Sequence, residues 1–491
     1  MNRGHVSVNI SDIERALSEG GAGLRDDSRK VLPGDIFVAV KGNSFDGHER
    51  IDEAFERGAI AVVCERGGFP ESHPRRADIL SVEDSRKALG SLARKFFRDP
   101  SGELIVFGVT GTNGKSTTVS IIESVFNAMG IPCGMTGTVF NRVKGDALER
   151  SDMTTQGVLR LNGMLREMVD DGKKAAAVEV SSHALDQDRV FGIGFDGAVF
   201  TNLTPEHLDY HGDMDAYLKA KAKIAGHLKP GGVLAVNNDD PKIRRFFAGL
   251  NGIDRVTFGF ESSSDLTCSA VSSTPDGTEL DLIYGGKNVG RVKSSLAGKH
   301  NISNIMGAAA LFLRKGFSSR DLITGIDKAI GVPGRLERIV SPAPFSIFVD
   351  YAHTPDALRS ALESVKAVTT GKLYCVFGCG GNRDRTKRPV MGRIAADISD
   401  AVILTDDNPR KEDPESILRE IEKGIPEGRE YRIIRDRMEA IVSAVKRAKP
   451  GDTVIIAGKG HENYQIFHDR TVHFDDRESA LSALAGIGYG S

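Results

Sequence analysis

The stretch ELIVFGVTGTNGKSTTVSIIESVFNAMG (103–130) decides the expected fold class. Its apolar run IVFGV (105–109) leads into the glycine-rich segment GTNGKST (111–117), and an amphipathic pattern with helical spacing follows. This order predicts a buried strand, a tight loop and a helix. Glycines in such a loop let backbone N–H groups approach phosphate oxygens, and the helix N-terminus favours negative charge. The stretch therefore predicts a phosphate-binding loop in an α/β protein.

Two side chains of this loop suit a nucleotide and its metal ion. Lys115 can reach the terminal phosphates, and the Ser116 hydroxyl can ligate Mg²⁺. The loop departs from a strict Walker A sequence, because Val109 stands five residues before Gly114, where that motif has glycine. A merely flexible glycine turn would not explain a Lys-Ser pair at the start of a helix. The residues predicted to bind phosphate are Gly111, Thr112, Asn113, Gly114, Lys115, Ser116 and Thr117.

The chain as a whole is too long for one hydrophobic core and is nearly neutral. Its 491 residues, 40% of them hydrophobic, correspond to about three domains at roughly 150 residues each. With 65 Lys and Arg against 67 Asp and Glu, there is no general excess of positive charge, so we expect no nucleic-acid partner. The scattered cysteines favour a reducing compartment. A polar N-terminal segment, and no apolar run of ~18 residues, predict a cytoplasmic protein without a membrane span.

Alternating strand and helix patterns divide the chain into three α/β zones, with expected domains 1–100, 101–335 and 336–491. In the first, GDIFVAV (34–40) and AIAVVCE (59–65) predict short buried strands. The regular alternation in the second predicts a doubly wound, largely parallel sheet. The expected fold class is therefore α/β, with a small N-terminal domain and a central P-loop-type domain.

The remaining segments add two expectations. Segment 253–300 alternates apolar and polar residues without a helix, so we predict a small antiparallel appendage. After a Pro-Gly turn in GVPGRLERI (331–339), a candidate hinge, four apolar strands each end in polar residues. Ligands of open α/β sheets gather at the carboxyl ends of strands, so chemistry is expected there. The four segments are FSIFVDYAH (345–353), KLYCVFGCGG (372–381), DAVILTDDNPR (400–410) and DTVIIAGKGHE (452–462).

Residue chemistry suggests metal ligands but leaves alternatives open. Glu179 ends the apolar run AAAVE (175–179) and offers the hard oxygen that Mg²⁺ prefers, although a strand-end carboxylate can also be an ordinary surface group. His207 fits either a ligand or a structural hydrogen-bonding role. Lys221, one of three lysines in AYLKAKAKIAG (216–226), would by itself be interpreted as a surface residue of a helix.

Eight motifs together resemble the Mur ligase family over essentially the whole chain. Each motif alone would be weak evidence, but their shared order is specific. The motifs are GTNGKST (111–117), EVSSHAL (179–185), NLTPEHLDYHG (202–212), GKHNISN (298–304), PGRLE (333–337), DYAH (350–353), DNPR (407–410) and GKGHE (458–462).

The resemblance implies an ATP-dependent ligase of peptidoglycan precursor synthesis, and hence of cell-wall biogenesis, cell shape and cell division. The implied architecture is an N-terminal domain for a uridine nucleotide, a central ATPase and a C-terminal Rossmann-like domain that brings in an amino acid. The implied reaction activates a carboxylate as an acyl phosphate, with ATP and Mg²⁺ as cofactors. We expect a monomer.

The resemblance also assigns roles residue by residue. Lys221 would be carbamylated, which turns a cation into an anion that can hold a second Mg²⁺. The implied catalytic residues are Lys115, Glu179, His207 and Lys221, and the implied metal ligands are Ser116, Glu179, His207 and the Lys221 carbamate. Further ATP contacts would be Asn301, Asn304, Arg335, Asp350 and His353. Contacts to the UDP-sugar dipeptide would be Ser28, Asn43, Ser44, Phe45, Thr154, Thr155, Ser181, Gln187 and Arg189. The chain departs from many relatives at Gln156, where they carry proline.

The resemblance makes Arg410 in DNPR the residue that indicates the amino acid. A guanidinium can bind the extra carboxylate that distinguishes diaminopimelate from lysine, although the charge pattern alone would equally fit a solvated loop. The DNPR form is that of diaminopimelate-adding members, so the expected substrates are UDP-MurNAc-L-Ala-D-Glu and meso-diaminopimelate. The implied contacts are Arg383 (or Arg385), Asp407, Asn408, Pro409, Arg410, Gly458 and Glu462.

Three alternatives stay open at this point. A lysine-adding ligase of the same family would share most of the motifs. A folylpolyglutamate synthase-like ligase would share the central core and the acyl phosphate, but would give no role to Ser28 or to DNPR. A nucleotide-binding regulator without catalysis would retain the fold and lose site residues, whereas Lys115, Glu179 and Lys221 are all present.

Overall fold

The computed structural model describes residues 8–42, 45–70 and 72–490. Asn43 and Ser44, two of the predicted substrate contacts, lie outside these described residues. None of the helices in the described part of the chain is long and apolar enough to cross a membrane.

The N-terminal sheet is small and entirely parallel, with strand order β1-β2-β3-β4. Both predicted strands of this zone are present, as β2 and β3. The strands are β1 Leu24–Arg25, β2 Ile36–Val38, β3 Ala61–Glu65 and β4 Ile79–Val82. The α-helices are α1 Ile10–Ser18, α2 Ile51–Glu56 and α3 Ser85–Phe96, and 3₁₀ turns span Ser28–Lys30, Gly47–Arg50 and Arg76–Asp78.

The central sheet is the largest of the fold, and it starts from the strand that the phosphate-loop stretch predicts. Its strands, with the hairpin β7–β8 beside it, are β5 Ile105–Thr110, β6 Cys133–Thr136, β7 Phe140–Asn141, β8 Glu149–Arg150, β9 Ala175–Glu179, β10 Phe195–Phe200, β11 Leu228–Asn237, β12 Asp254–Phe258, β13 Leu266–Thr274, β14 Gly277–Tyr284 and β15 Lys287–Ser294. The helices are α4 Pro100–Glu103, α5 Lys115–Ala128, α6 Val158–Asp170, α7 Ser182–Asp186, α8 Leu208–His211, α9 Met214–Ala222, α10 Pro241–Ala248, α11 Lys299–Arg314 and α12 Ser319–Lys328, with a 3₁₀ turn at Lys223–His227.

Helices cover both faces of this sheet, as the doubly wound prediction requires. Side chains alternate between faces along a strand, so Phe107 of β5 packs with α5, α11 and α12, while Val106 packs with α6, α9 and α10. Both residues are fully buried. The strand order is β15-β14-β13-β12-β11-β10-β5-β9-β6, and pairing is parallel from β12 to β6.

The segment predicted as a separate antiparallel appendage is instead the end of the central sheet. Strand β12 pairs parallel with β11, and only β13, β14 and β15 pair antiparallel. The prediction was wrong for β12 because a short apolar run carries no signal for strand direction. It was right for the three strands whose sequence alternates apolar and polar residues, as in a sheet with one solvated face.

The C-terminal sheet has strand order β16-β17-β21-β18-β19-β20 and is parallel except for β16. The four predicted apolar strands are β17, β18, β19 and β21, so their polar ends share one edge. The strands are β16 Glu337–Arg338, β17 Ser346–Asp350, β18 Leu373–Phe377, β19 Ala401–Leu404, β20 Tyr431–Ile433, β21 Thr453–Ala457, β22 Tyr464–Ile466 and β23 Thr471–His473. The helices are α13 Pro355–Lys366, α14 Lys387–Ile398, α15 Pro414–Glu422, α16 Arg437–Arg447 and α17 Asp476–Ala485.

Candidate active site

A cavity of about 330 Å³ lies at the loop between β5 and α5. The central domain contributes Lys115, Lys221 and His207 to its wall, and the C-terminal domain contributes Asp350 and His353. The phosphate loop predicted from sequence therefore faces polar residues that follow it by more than two hundred positions. The cavity lies at the carboxyl ends of β5 and β17, where ligands of open α/β sheets bind.

Two lysine ammonium groups meet at one backbone oxygen of the loop. The carbonyl of Gly111 accepts hydrogen bonds from Nζ of Lys115 at 3.0 Å and from Nζ of Lys221 at 2.8 Å. Burial lowers the pKa of Lys115 and lowers that of Lys221, which is only 1% exposed, well below its usual value. Lys221 also lies 4.4 Å from the ring centroid of Tyr217. It is thus a buried amine and not the surface residue that a lysine run usually indicates.

Glycine is required at two loop positions because other groups come close to their Cα atoms. Gly114 has φ +84°, and a Cβ there would lie 2.2 Å from Oδ1 of Asn304. Gly111 has φ +146°, and a Cβ there would lie 1.9 Å from Oγ1 of Thr201. Asn304 is in turn held by Asn301, whose Oδ1 accepts its amide at 3.2 Å. Of the two asparagines predicted to contact ATP, Asn304 therefore packs against the loop and lines the cavity, whereas Asn301 supports Asn304 and does not line the cavity.

The loop conformation is held from β10 and the segment after it. The N–H of Asn113 donates to Oδ1 of Asn202 at 2.8 Å, and the hydroxyl of Thr201 donates to the carbonyl of Asn113 at 2.6 Å. The Thr112 hydroxyl donates to the carbonyl of Thr204 at 3.2 Å. Sequence reasoning gave Asn202, Thr201 and Thr204 no role. The sequence feature that could have pointed to them is their position just after β10, a strand that neighbours β5 in the sheet.

Glu179 lies behind the cavity wall rather than on it. Its carboxylate is 2% exposed and accepts from Thr138, through the hydroxyl at 2.8 Å and through the N–H at 3.1 Å. Thr138 itself lines the cavity, as do Glu206, Tyr217 and His300, four residues that sequence reasoning did not select. The Thr138 side chain thus lies between the Glu179 carboxylate and the cavity. This position suits an oxygen donor for a cation near the phosphates.

His207 reaches the cavity in a left-handed backbone conformation, with φ +56°. Its ring packs edge-on to His183, with centroids 4.7 Å apart. Burial lowers its pKa, so the neutral imidazole, the form that ligates metals, predominates at neutral pH. Within the described residues no three His, Cys, Asp or Glu side chains could hold one metal ion. Mg²⁺ commonly takes only one or two protein ligands beside water and phosphate oxygens, and His207, which lines the cavity, can be one of them, whereas Ser116 and Glu179 are not part of the lining.

The candidate hinge and the start of the C-terminal domain carry the remaining predicted nucleotide contacts. The guanidinium of Arg335 lies 4.8 Å from the ring centroid of Tyr351. Asp350 accepts from the N–H groups of Leu336 at 2.6 Å and Ala352 at 2.8 Å, and burial raises its pKa. This carboxylate thereby ties the hinge to the end of β17. His353 lines the same cavity, and burial lowers its pKa.

A second cavity, of about 280 Å³, lies between the N-terminal and central domains. Three residues predicted to bind the UDP-sugar dipeptide, Phe45, Gln187 and Arg189, line it. Ser28 does not line it, and its hydroxyl donates to Oε2 of Glu53 at 3.0 Å. Asp26, two residues earlier, lines the cavity instead.

A strip of predicted substrate residues connects the two cavities. Arg189 donates to Oε1 of Gln187 at 2.7 Å and to the carbonyl of Thr155 at 3.1 Å. The Thr155 hydroxyl donates to the carbonyl of Glu179 at 2.9 Å and accepts from the N–H of Ser181 at 3.0 Å. Thr154 and Ser181 line the phosphate-loop cavity, so the strip leads from the second cavity to the first.

The predicted amino-acid contacts gather at the ends of β19 and β21. Nδ2 of Asn408 donates to Oε2 of Glu462 at 2.9 Å. Gly458 has φ +117°, and a Cβ there would lie 2.9 Å from Oδ2 of Asp407. Residues 54 positions apart in the sequence are thus directly hydrogen bonded. Neither Asn408 nor Glu462 lines the phosphate-loop cavity.

Two arginines meet beside Gly380. A Cβ at Gly380 would lie 2.8 Å from Nη1 of Arg410 and 3.8 Å from Cγ of Arg383. Arg410 has φ +56° and donates to the carbonyl of Gly381 at 3.0 Å. In the described part of the chain Arg383 forms no hydrogen bond or ion pair, whereas Arg385 is paired with Glu420. Of the two candidates, Arg383 is therefore the one available to a ligand.

A glycine-rich loop between a strand and a helix, a buried amine beside it and a cavity that a third α/β domain helps to line define the class as a multidomain nucleotide-binding enzyme. Three family models match the chain in succession. They are the Mur ligase family, catalytic domain, at residues 22–97, the Mur ligase middle domain at 109–312, and the Mur ligase, glutamate ligase domain, at 334–460.

Curated relatives and a solved structure give the same result. The chain is 44% identical to the UDP-N-acetylmuramoyl-L-alanyl-D-glutamate–2,6-diaminopimelate ligase of Chlorobaculum tepidum, covering 99% of both chains. It is 41% identical to a Clostridium acetobutylicum protein of that name, over 93% of both. A solved structure of such a ligase aligns with 33% identity and a TM-score of 0.71, covering 95% of both chains. The chain belongs to the Mur ligase family.

Proposed function

We propose that this chain joins meso-diaminopimelate to the D-glutamate side-chain carboxylate of UDP-MurNAc-L-Ala-D-Glu, with ATP as the source of energy. The names of the relatives support these substrates. The observation that carries the proposal is the composition of one cavity wall, in which Lys115, the strip residue Ser181 and His353 of the third domain face the same space. A ligase needs that arrangement, because the phosphoryl donor, the carboxylate and the amine must meet.

In the first step the D-glutamate carboxylate oxygen attacks the γ-phosphorus of ATP, and ADP leaves with the electrons of the broken P–O bond. Lys115 and the loop N–H groups bind the phosphate oxygens and neutralise charge as the phosphoryl group moves. Bound Mg²⁺ would supply further positive charge, held by Ser116, Glu179 and His207. The strip from Arg189 to Thr154 orients the dipeptide so that its carboxylate reaches this cavity.

In the second step an amine of diaminopimelate attacks the acyl carbon, a tetrahedral intermediate forms, and phosphate is expelled. Glu462 is suited to bind an ammonium group of the amino acid. Arg410 and Arg383, which meet at Gly380, are suited to bind a carboxylate through charge-assisted hydrogen bonds. Lysine lacks one of the two carboxylates of diaminopimelate, so it would not form these charge-assisted hydrogen bonds, and diaminopimelate should be preferred.

Lys221 has the properties that carbamylation requires. A neutral amine attacks the carbon of CO₂, forms an N–C bond and loses a proton, which leaves a carbamate anion. Burial holds the pKa of Lys221 well below its usual value, which increases the neutral fraction of the amine. The product would be an anion beside the phosphate loop and would add a metal ligand.

The remaining parts of the proposal concern organisation. We place the domain boundaries near residues 100 and 335, close to the edges of the family matches. We also propose a cytoplasmic monomer that acts in peptidoglycan precursor synthesis and therefore in cell shape and cell division.

The proposal is tested by following ADP release and product mass with UDP-MurNAc-L-Ala-D-Glu, ATP and Mg²⁺. Supply of meso-diaminopimelate should give ADP and a nucleotide product heavier by one diaminopimelate residue. A product containing lysine alone would favour the lysine-adding alternative. Addition of glutamate to a folate would favour the folylpolyglutamate synthase-like alternative, and nucleotide binding without any ADP release would favour a regulator.

A further inference from the structure

A lysine next to the predicted amino-acid contacts is completely buried. Lys459 follows β21, between Gly458 and Gly460, and its side chain is 0% exposed. A buried ammonium group is costly unless hydrogen-bond acceptors surround it. Nζ donates to Oδ1 of Asn408 at 3.2 Å and to Oε2 of Glu462 at 3.3 Å, and it lies 5.5 Å from the ring centroid of Tyr464. Lys459 thus binds both groups that are proposed to contact the amino acid.

This contact determines which way the Asn408 amide points. An ammonium group can only donate, so the amide oxygen and not the amide nitrogen must face Lys459. The N–H of Ile466 donates to the same oxygen at 2.9 Å, which gives the same orientation. The amide nitrogen is thereby directed to Glu462, where it donates to Oε2 at 2.9 Å. Without Lys459 one of the two donors that hold this orientation would be lost.

The same ammonium group holds one oxygen of Glu462. Oε2 accepts from both Lys459 and Asn408, so the carboxylate is fixed by two donors from different strand ends. A carboxylate that is fixed before the ligand arrives loses less side-chain entropy on binding. The three groups Lys459, Asn408 and Glu462 therefore form one unit.

We propose that Lys459 is a positioning residue for the amino-acid substrate, acting through the orientation of Asn408 and Glu462. The inference rests on the proposed function in one respect, which is the identity of the amino acid that binds at this site. Removing the ammonium group should weaken binding of the amino acid specifically. It should leave ATP and the UDP-sugar dipeptide unaffected, because Lys459 touches neither the phosphate loop nor the strip.

The test compares Lys459→Met with wild type in three KM measurements. The variant should raise the KM for the amino acid at least about tenfold, and should leave the KM values for ATP and for the UDP-sugar dipeptide within about twofold. Lys446→Met, an exposed lysine of α16, serves as the matched control and should leave all three unchanged. Lys459→Gln retains a neutral donor and should give a smaller rise than Lys459→Met.

A double variant separates positioning from a general loss of structure. If Lys459 acts partly through Asn408, then Asn408→Ala combined with Lys459→Met should raise the amino-acid KM by less than the product of the two single effects. Equal rises in all three KM values, fully multiplicative effects, or failure of both Lys459 variants to fold would overturn the inference. If wild type uses another amino acid, the proposed function fails, and the Lys459 inference is tested with that amino acid.

Discussion

Lys115 and Lys221 donate to the same carbonyl oxygen, that of Gly111, at 3.0 and 2.8 Å. Two ammonium groups at one acceptor repel each other, and the charge of Lys115 contributes to the lowered pKa of Lys221. Burial and the neighbouring charge therefore both favour the neutral amine of Lys221. In the proposed mechanism Lys221 becomes a carbamate and Lys115 binds phosphate.

Replacement of Lys221 should abolish activity and spare the fold. Lys221→Ala removes the carbamate and leaves a small space, so kcat should fall at least about a hundredfold. A short carboxylate such as acetate can occupy that space and supply the missing anion, so it should restore part of the activity. Steady-state ADP release with and without acetate measures both effects. Lys219→Ala, on the same helix, should retain full activity and show no response to acetate.

A methyl group at Gly114 should prevent nucleotide binding. Its Cβ would collide with Asn304 and the backbone would be strained, so Gly114→Ala should weaken ATP binding at least about a hundredfold. Gly130→Ala is the matched control, because Gly130 has a similar φ of +72° with no atom within 4 Å of the added Cβ. It should cost about 1 kcal/mol of stability and leave ATP affinity unchanged. Equal ATP affinities for the two variants would contradict this account of the loop.

Thr138 should matter for Mg²⁺ although sequence reasoning did not select it. Its hydroxyl donates to Oε2 of Glu179 at 2.8 Å. Thr138→Val removes that donor with little change in shape, so the Mg²⁺ concentration for half-maximal activity should rise about tenfold. Thr138→Ser keeps the hydroxyl and should behave like wild type. An unchanged Mg²⁺ dependence in the valine variant would show that Glu179 needs no support from Thr138.

The loops that carry Arg383 and Arg410 are supported by a buried ion pair. Arg388, 0% exposed, donates to both oxygens of Glu412, at 2.7 and 2.8 Å, and lowers the pKa of that carboxyl from 4.5 to about 2. Because the pKa in the folded state is lowered, the pair stabilises the fold above about pH 4.5, and this contribution is lost as the pH falls towards about 2.

Glu412→Gln should therefore lower the free energy of unfolding by about 3 kcal/mol at pH 7. The difference from wild type should shrink as the pH falls from 4.5 towards 2. Chemical denaturation at several pH values measures both. Glu415→Gln breaks an exposed pair with Arg419 on α15 and should change stability by less than about 1 kcal/mol. Equal effects of the two variants would show that the Arg388 pair contributes no more than an exposed one.

Much of the fold could be predicted because its decisive segments are local. The strand, glycine loop and helix at 103–130 lie within one stretch, and the apolar runs of the C-terminal zone are the strands β17, β18, β19 and β21. Strand direction at β12 could not be predicted, since a parallel and an antiparallel strand can have the same apolar sequence.

Site residues were predictable where a motif contains the chemistry, and were missed where the support comes from a distant strand. Lys115 and Ser116 are recognisable in the loop itself. Thr138 contacts Glu179 across 41 positions and Lys459 contacts Asn408 across 51, and no spacing rule connects either pair. The substrate contact that the resemblance assigns to Ser28 stays a prediction, and its hydroxyl donates to Glu53.

The most direct test of the central claim is the ratio of kcat/KM for meso-diaminopimelate to kcat/KM for L-lysine, measured by ADP release with UDP-MurNAc-L-Ala-D-Glu. Lysine cannot offer a second carboxylate to Arg410 and Arg383, and hydrogen bonds to a charged group are worth about 1.5–3 kcal/mol, so we expect a ratio of at least about a hundred. A ratio near one, or a preference for lysine, would contradict it.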